Sequence, residues 1–177
     1  MDIEKLKYPV GKYIVPSTIS PQTIKQWIDE IEQLPINVKN VVKDFKESDL
    51  EKTYRPGGWT ARQVIHHIAD SHLNSYTRFK LAMTEEHPAI RPYKENLWAG
   101  LEDGKNAPIY FSINLLEALH ARWVLFLRSI SAEGYKRTLF HPETKKIFVL
   151  DEFLGLYAWH CRHHLGHLTI VKNSISL

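Results

Sequence analysis

Apolar residues recur at three- and four-residue spacing through four long stretches of the chain. The first, Gln22 to Phe45, carries Ile24, Trp27, Ile28, Ile31 and Leu34 on one face, which predicts an amphipathic helix with Pro35 as its point of weakness. Ser20-Pro21 supplies an N-cap and a proline at the first helical position. Ser48-Asp49-Leu50-Glu51 reads as a capping box opening a short turn of helix. A second box, Thr60 to Gln63, opens a long helix expected to run to Glu86 and stop before Pro88. Ser112 is the expected cap of a third helix over 113–130, with Ile113, Leu116, Leu119, Trp123 and Leu127 in one stripe. Asp151 is the expected cap of a last helix reaching Lys172.

The segments between differ in character. Residues 1–19, with Pro9, Gly11 and Pro16, read as an extended arm lying on the domain. Residues 87–111 hold three prolines and two glycines with no clear period, a long loop whose aromatics suggest that it folds back over something. Thr138–His141 and Lys146–Val149 flank Pro142-Glu143-Thr144 as a small β-hairpin. The whole predicts one domain, residues 1–177: an all-α four-helix bundle with a hairpin insert before the last helix. Its long connections do not demand simple up-down-up-down order.

Composition narrows the class. Hydrophobic residues are 44% and charged residues 24%, as in soluble globular proteins. No run approaches the ~20 apolar residues of a membrane span. An N-terminus with acids and no apolar run predicts no secretory signal, and a single cysteine fits a reducing cytoplasm. A net charge of +3 with scattered Lys and Arg argues against a nucleic-acid partner. The departure is in histidine: there are ten, and four of them fall between His160 and His167.

At ~100° per residue, His160, His164 and His167 share the apolar stripe of the last helix, with His163 at its edge. His160 and His164 lie one turn apart on one face, where two imidazoles can bind one ion. Burying several imidazoles is costly unless each finds a partner, and a cation is one. A protease-type His-Glu-x-x-His is excluded because Cys161 follows His160, and Cys161 itself points off that face. The second helix offers His66, His67 and His72; periodicity favours His72, which lies nearest the centre of its apolar side.

The segment Gly57-Gly58-Trp59-Thr60-Ala61-Arg62-Gln63-Val64-Ile65-His66-His67 resembles the signature of the DinB/YfiT-like superfamily, and His160-Cys161-Arg162-His163-His164-Leu165-Gly166 resembles its second, His-x-x-x-His-x-Gly. Tyr8-Pro9-Val10-Gly11, Arg78-Phe79-Lys80, Pro88 to Tyr93 and Gly155-Leu156-Tyr157 extend the likeness to the YfiT branch over nearly the full length. The resemblance implies a DinB-type bundle, usually dimeric, with one divalent ion on three histidines, which carry over as His67, His160 and His164. It makes His66 and His163 bystanders.

Weaker candidates surround that set. Asp70 is placed to orient an imidazole or to sit on a solvated face, His72 and His167 line the pocket or pack in the core, and Arg78, Arg91 and Tyr93 could meet a substrate anion. His120 and His141 read as structural. Three protein ligands leave a coordination position open, as in catalytic zinc sites, and imidazole donors suit zinc or nickel. The resulting expectation is a hydrolase acting on a small molecule through activated water. A transferase of low-molecular-weight thiols of the bacillithiol type is the alternative, favoured by the lack of an acid at a fixed offset for a general base. A non-enzymatic metal-binding stress protein is the third reading.

Overall fold

A computed structural model describes residues 2–175. Four long helices form the bundle: α2 (Pro21–Val42), α4 (Ala61–Thr84), α7 (Ile109–Ser129) and α8 (Leu150–Ile175). Helix α2 packs on α7 and α8, and α4 packs on the same two, so the sequence neighbours α2 and α4 lie diagonally. That order differs from an up-down-up-down bundle, in which consecutive helices are adjacent. Its consequence is that α4 and α8, which carry seven of the ten histidines, share an interface. Trp123, Phe79, Ile31, Ile65, Leu127 and Leu154 fill the centre.

Caps decide the helix ends. Ser20 Oγ accepts the Thr23 N–H at 3.1 Å, and α2 runs on through Pro35 to Val42. At α4 the capping box is complete: Gln63 N–H donates to Thr60 Oγ1 at 3.2 Å, and Thr60 N–H donates to Gln63 Oε1 at 3.0 Å. Three expected caps move. The short helix α3 (Glu47–Leu50) starts two residues early, because Asp49 Oδ2 accepts the N–H of Lys46. Helix α7 begins at Ile109, since Ser112 spends its hydroxyl on His66 instead of on a cap. Asp151 lies inside α8, where its carboxylate takes Lys136 Nζ at 2.6 Å.

The expected arm contains one helical segment, α1 (Ile3–Lys7), before it extends along α8. Trp159 Nε1–H donates to Gly11 O at 2.9 Å, and Tyr13 donates to Glu152 O at 2.9 Å. A Cβ on Gly166 would stand 2.7 Å from Pro9 Cγ, so this approach requires glycine. The expected long loop is also more ordered than its composition suggests. It forms α5 (Glu95–Trp98) and α6 (Glu102–Asn106), and Ala89 bridges to Phe140 of the hairpin. The expected hairpin forms, β1 (Thr138–His141) against β2 (Lys146–Val149), and its register sets Leu139 opposite Phe148.

Candidate metal centre

His67, His160 and His164 meet at the α4–α8 interface, with one ring nitrogen of each within 4.8 Å of the others. Trp59 lies eight residues before His67, two turns back, and its ring stands 4.6 Å from that imidazole. Nε2 of His67 and Nε2 of His160 are 3.3 Å apart. Two nitrogens each 2.0–2.1 Å from a tetrahedral ion stand about 3.3–3.4 Å apart, so the spacing fits zinc-type ligation. The contact is met either by a proton on His67 or by a shared cation.

The tautomers of the α8 pair can be assigned from backbone carbonyls, which only accept. His120 Nδ1–H donates to Ile31 O at 2.6 Å, leaving Nε2 to accept. His72 Nδ1–H then donates to it at 2.9 Å, and His160 Nδ1–H donates to His72 Nε2 at 3.1 Å. The lone pair of His160 therefore sits on Nε2, facing His67. A second chain does the same for His164. His167 Nε2–H donates to Lys7 O at 3.2 Å, so its Nδ1 accepts from His164 Nδ1–H at 3.3 Å and Nε2 of His164 is bare.

These chains need neutral rings, and the burial supplies them. Desolvation pushes His67 down to about 3 and both His120 and His167 down to about 4, and holds His72, His160 and His164 well below their ordinary value, with neighbouring imidazoles adding to it. Near pH 7 every one of them is neutral, the state that binds a cation. The donor set is three neutral imidazoles, and among the described residues no carboxylate or thiol joins them. His163, His164 and His167 also cluster, but the His164–His167 contact is already a link of the chain to Lys7.

The remaining candidates fall into place. His66 faces away from the centre, bonding Ser112 Oγ at 2.7 Å and Ala107 O at 3.0 Å. His163 is buried against Trp159, ring on ring at 4.4 Å, with Nδ1 unpartnered. Asp70 has two expected roles, orienting an imidazole or standing as an acid on a solvated face. Among the described residues its carboxylate contacts no histidine, and burial followed by the Asp103 charge raises it to about 6. Cys161 is buried, its thiol pushed up by desolvation, and plays no part at the centre. Periodicity favoured His72, which instead backs His160.

Two cavities open on the centre, one of about 710 Å³ and one of about 380 Å³, and His160, Glu95 and Asn96 line both. Sequence reasoning missed Glu95, which has no fixed offset from any histidine because the α5 segment carries it over. Desolvation and the Glu143 charge raise its carboxyl above the ordinary value. Ser71 was missed as well; its Oγ lies 3.4 Å from His160 Nε2.

This bundle with its histidine-lined α4–α8 interface defines a class. The family model of the DinB superfamily matches residues 23–168, and the chain belongs to that superfamily. Within it the chain is YfiT-like. It is 48% identical to the candidate metal-dependent hydrolase YfiT of Bacillus subtilis (strain 168) over 93% of this chain and 92% of that one. A candidate metal-dependent hydrolase of Oceanobacillus iheyensis is 50% identical over 92% of this chain and 94% of its own. The solved structure of Bacillus subtilis YfiT, described as a probable metal-dependent hydrolase with an unusual four-helix bundle topology, superposes with a TM-score of 0.94. It is 46% identical and the match covers 97% of this chain and 98% of that one. Among the described residues no helix is long and apolar enough to cross a membrane.

Proposed function

We propose that His67, His160 and His164 hold one divalent ion, zinc before nickel by donor chemistry, and that the protein is a hydrolase of a small-molecule substrate. The observation that carries this reading is that two bare Nε2 lone pairs of α8 converge with the His67 ring of α4, with no fourth protein donor among the described residues. A divalent ion so held lowers the pKa of a bound water towards about 7 and polarises a carbonyl. Glu95 faces the same space from both cavities. Its raised pKa suits it to take the proton that the nucleophile gives up and to return it to the leaving group. His72 and His167 hold the tautomers and orientation of His160 and His164.

A second reading, transfer of a low-molecular-weight thiol, is supported by the two cavities. Two separate spaces meeting at His160 suit two reactants, whereas hydrolysis needs room for one and a water. Metal analysis of wild type beside His67→Ala, His72→Ala and His163→Ala tests the centre: His67→Ala loses the ion and His163→Ala keeps it. Ester and amide panels against monochlorobimane plus thiols then separate the reactions. Thiol conjugation without hydrolysis selects the second reading. Melting on chelation with no turnover of any kind selects an ion that only closes the bundle.

A further inference from the structure

Helix α4 contains two arginines buried to nearly the same degree, Arg62 at 6% exposure and Arg78 at 8%, and only one is neutralised. Arg62 meets Glu47, and donates from Nε to Glu51 Oε1 at 2.9 Å and from Nη1 to Ala107 O at 3.1 Å. Arg78 donates from Nη2 to Arg91 O at 3.2 Å and from Nη1 to the Tyr157 hydroxyl at 3.5 Å, and no ion pair among the described residues includes it. Of its five N–H donors, three have no protein partner. A buried charge without a counter-ion is costly unless something supplies one.

What lies in front of Arg78 is the larger cavity, of about 710 Å³, which also reaches His160. Tyr93 stacks at 5.9 Å from the guanidinium, and Phe148, Phe153 and Leu156 form an apolar wall. The charge of Arg78 is felt inside: after burial, it is the main cause holding His141, on the cavity rim, below its ordinary value. Lys94, Glu95 and Glu143 line the same space, and against the two carboxylates Lys94 and Arg78 leave no surplus of positive charge for a doubly charged anion. A planar monoanion matches the two-nitrogen edge of a guanidinium.

We propose that this cavity seats a carboxylate-bearing small molecule, its carboxylate on Arg78 and its apolar body along Phe148, Phe153 and Leu156, which turns its other end towards His160. That this molecule is the substrate rests on the hydrolase reading above; the carboxylate seat does not. Calorimetric titration of the protein as purified compares 3-phenylpropionate, the neutral 3-phenylpropanamide and inorganic phosphate. The acid is expected to bind at least tenfold more tightly than the amide. Arg78→Gln removes that preference while leaving amide affinity within twofold, and Arg78→Lys keeps part of it. His67→Ala, with its ion gone, still prefers the acid, which separates the Arg78 seat from a carboxylate bound to the metal. If Arg78→Gln does not fold, the acid–amide comparison in His67→Ala and in Arg78→Lys decides. Equal binding of acid and amide, a preference that survives Arg78→Gln, phosphate binding tighter than the acid, or no saturable binding of any of the three overturns the proposal.

Discussion

His66 and His67 are neighbours on α4, equally buried, and their surroundings are opposite. His66 has both ring nitrogens satisfied, by Ser112 and Ala107, on the same face where Arg62 has its two glutamates. His67 faces another imidazole nitrogen at 3.3 Å, and on its side of the helix Arg78 has no acid. Buried polar groups in native proteins are nearly all paired. A face where every group is paired by the chain is architecture, and a face where pairing is incomplete is waiting for something the chain does not encode. The lesson is that burial alone does not distinguish a structural histidine from a functional one. The identity of the partner does.

The sharpest way to break this contrast is to delete each neighbour in turn. His67→Ala is expected to weaken metal retention by more than about 100-fold, read as ion content by mass spectrometry. His66→Ala leaves the ion in place and costs about 1–3 kcal/mol of stability, because it strands the Ser112 hydroxyl, while Ala107 O keeps its bond from Arg62. If His66→Ala empties the centre, the two faces are not separate.

Acid should undo the ion-free protein next. His66, His67, His72, His120, His160, His163, His164 and His167 all have folded pKa values lowered by burial. Unfolded, they titrate near 6.5, so below that pH the unfolded state binds protons that the folded state refuses. Stability is fully present above about pH 6.5 and falls as pH drops towards the folded values near 3 to 4. Each such group contributes about 1.4 kcal/mol per pH unit, so together they overcome a typical stability within roughly one or two units. Circular-dichroism melts should therefore show a steep loss of Tm between pH 6.5 and 5; a flat profile would mean that these rings are solvated.

Smaller effects sharpen the picture. His120→Ala touches none of the three central histidines, yet it frees His72 to change tautomer and should cost about 10–100-fold in zinc affinity. Nitrogen-15 spectra of the His160 ring report the tautomer directly, and an unchanged Nε2 lone pair in that variant would refute the chain. Gly166→Ala should cost only about 1 kcal/mol, through the clash of its Cβ with Pro9. Its zinc affinity should fall slightly too, since the displaced arm carries Lys7.

Much of this was legible in residue spacing. The helical stripes and the α4 capping box announced the bundle, and the i,i+4 placement of His160 and His164 put two imidazoles on one face. The choice among His66, His67 and His72 was not legible from periodicity, because α4 is polar on more than one side and each histidine has a buried place. The chain from Ile31 through His120 to His72 joins three helices, so no local pattern encodes it. Glu95 was hidden for a related reason: α5 is four residues long, too short to display a period. Two of the three misplaced caps share one cause, since Ser112 and Asp151 were each claimed by a distant partner.

The carbonyl of Lys7 that ends one histidine chain gives the centre an unusual timetable. Its parts are scattered from the seventh residue to the hundred and sixty-seventh, so during synthesis the first helix emerges long before the imidazole it will hold. On the proposed reading, an ion would be captured in its finished setting only after His160, His164 and His167 of α8 have emerged. Metallation would thus wait for α8, and a chain cut short before that helix would lack two of the three imidazoles to keep an ion.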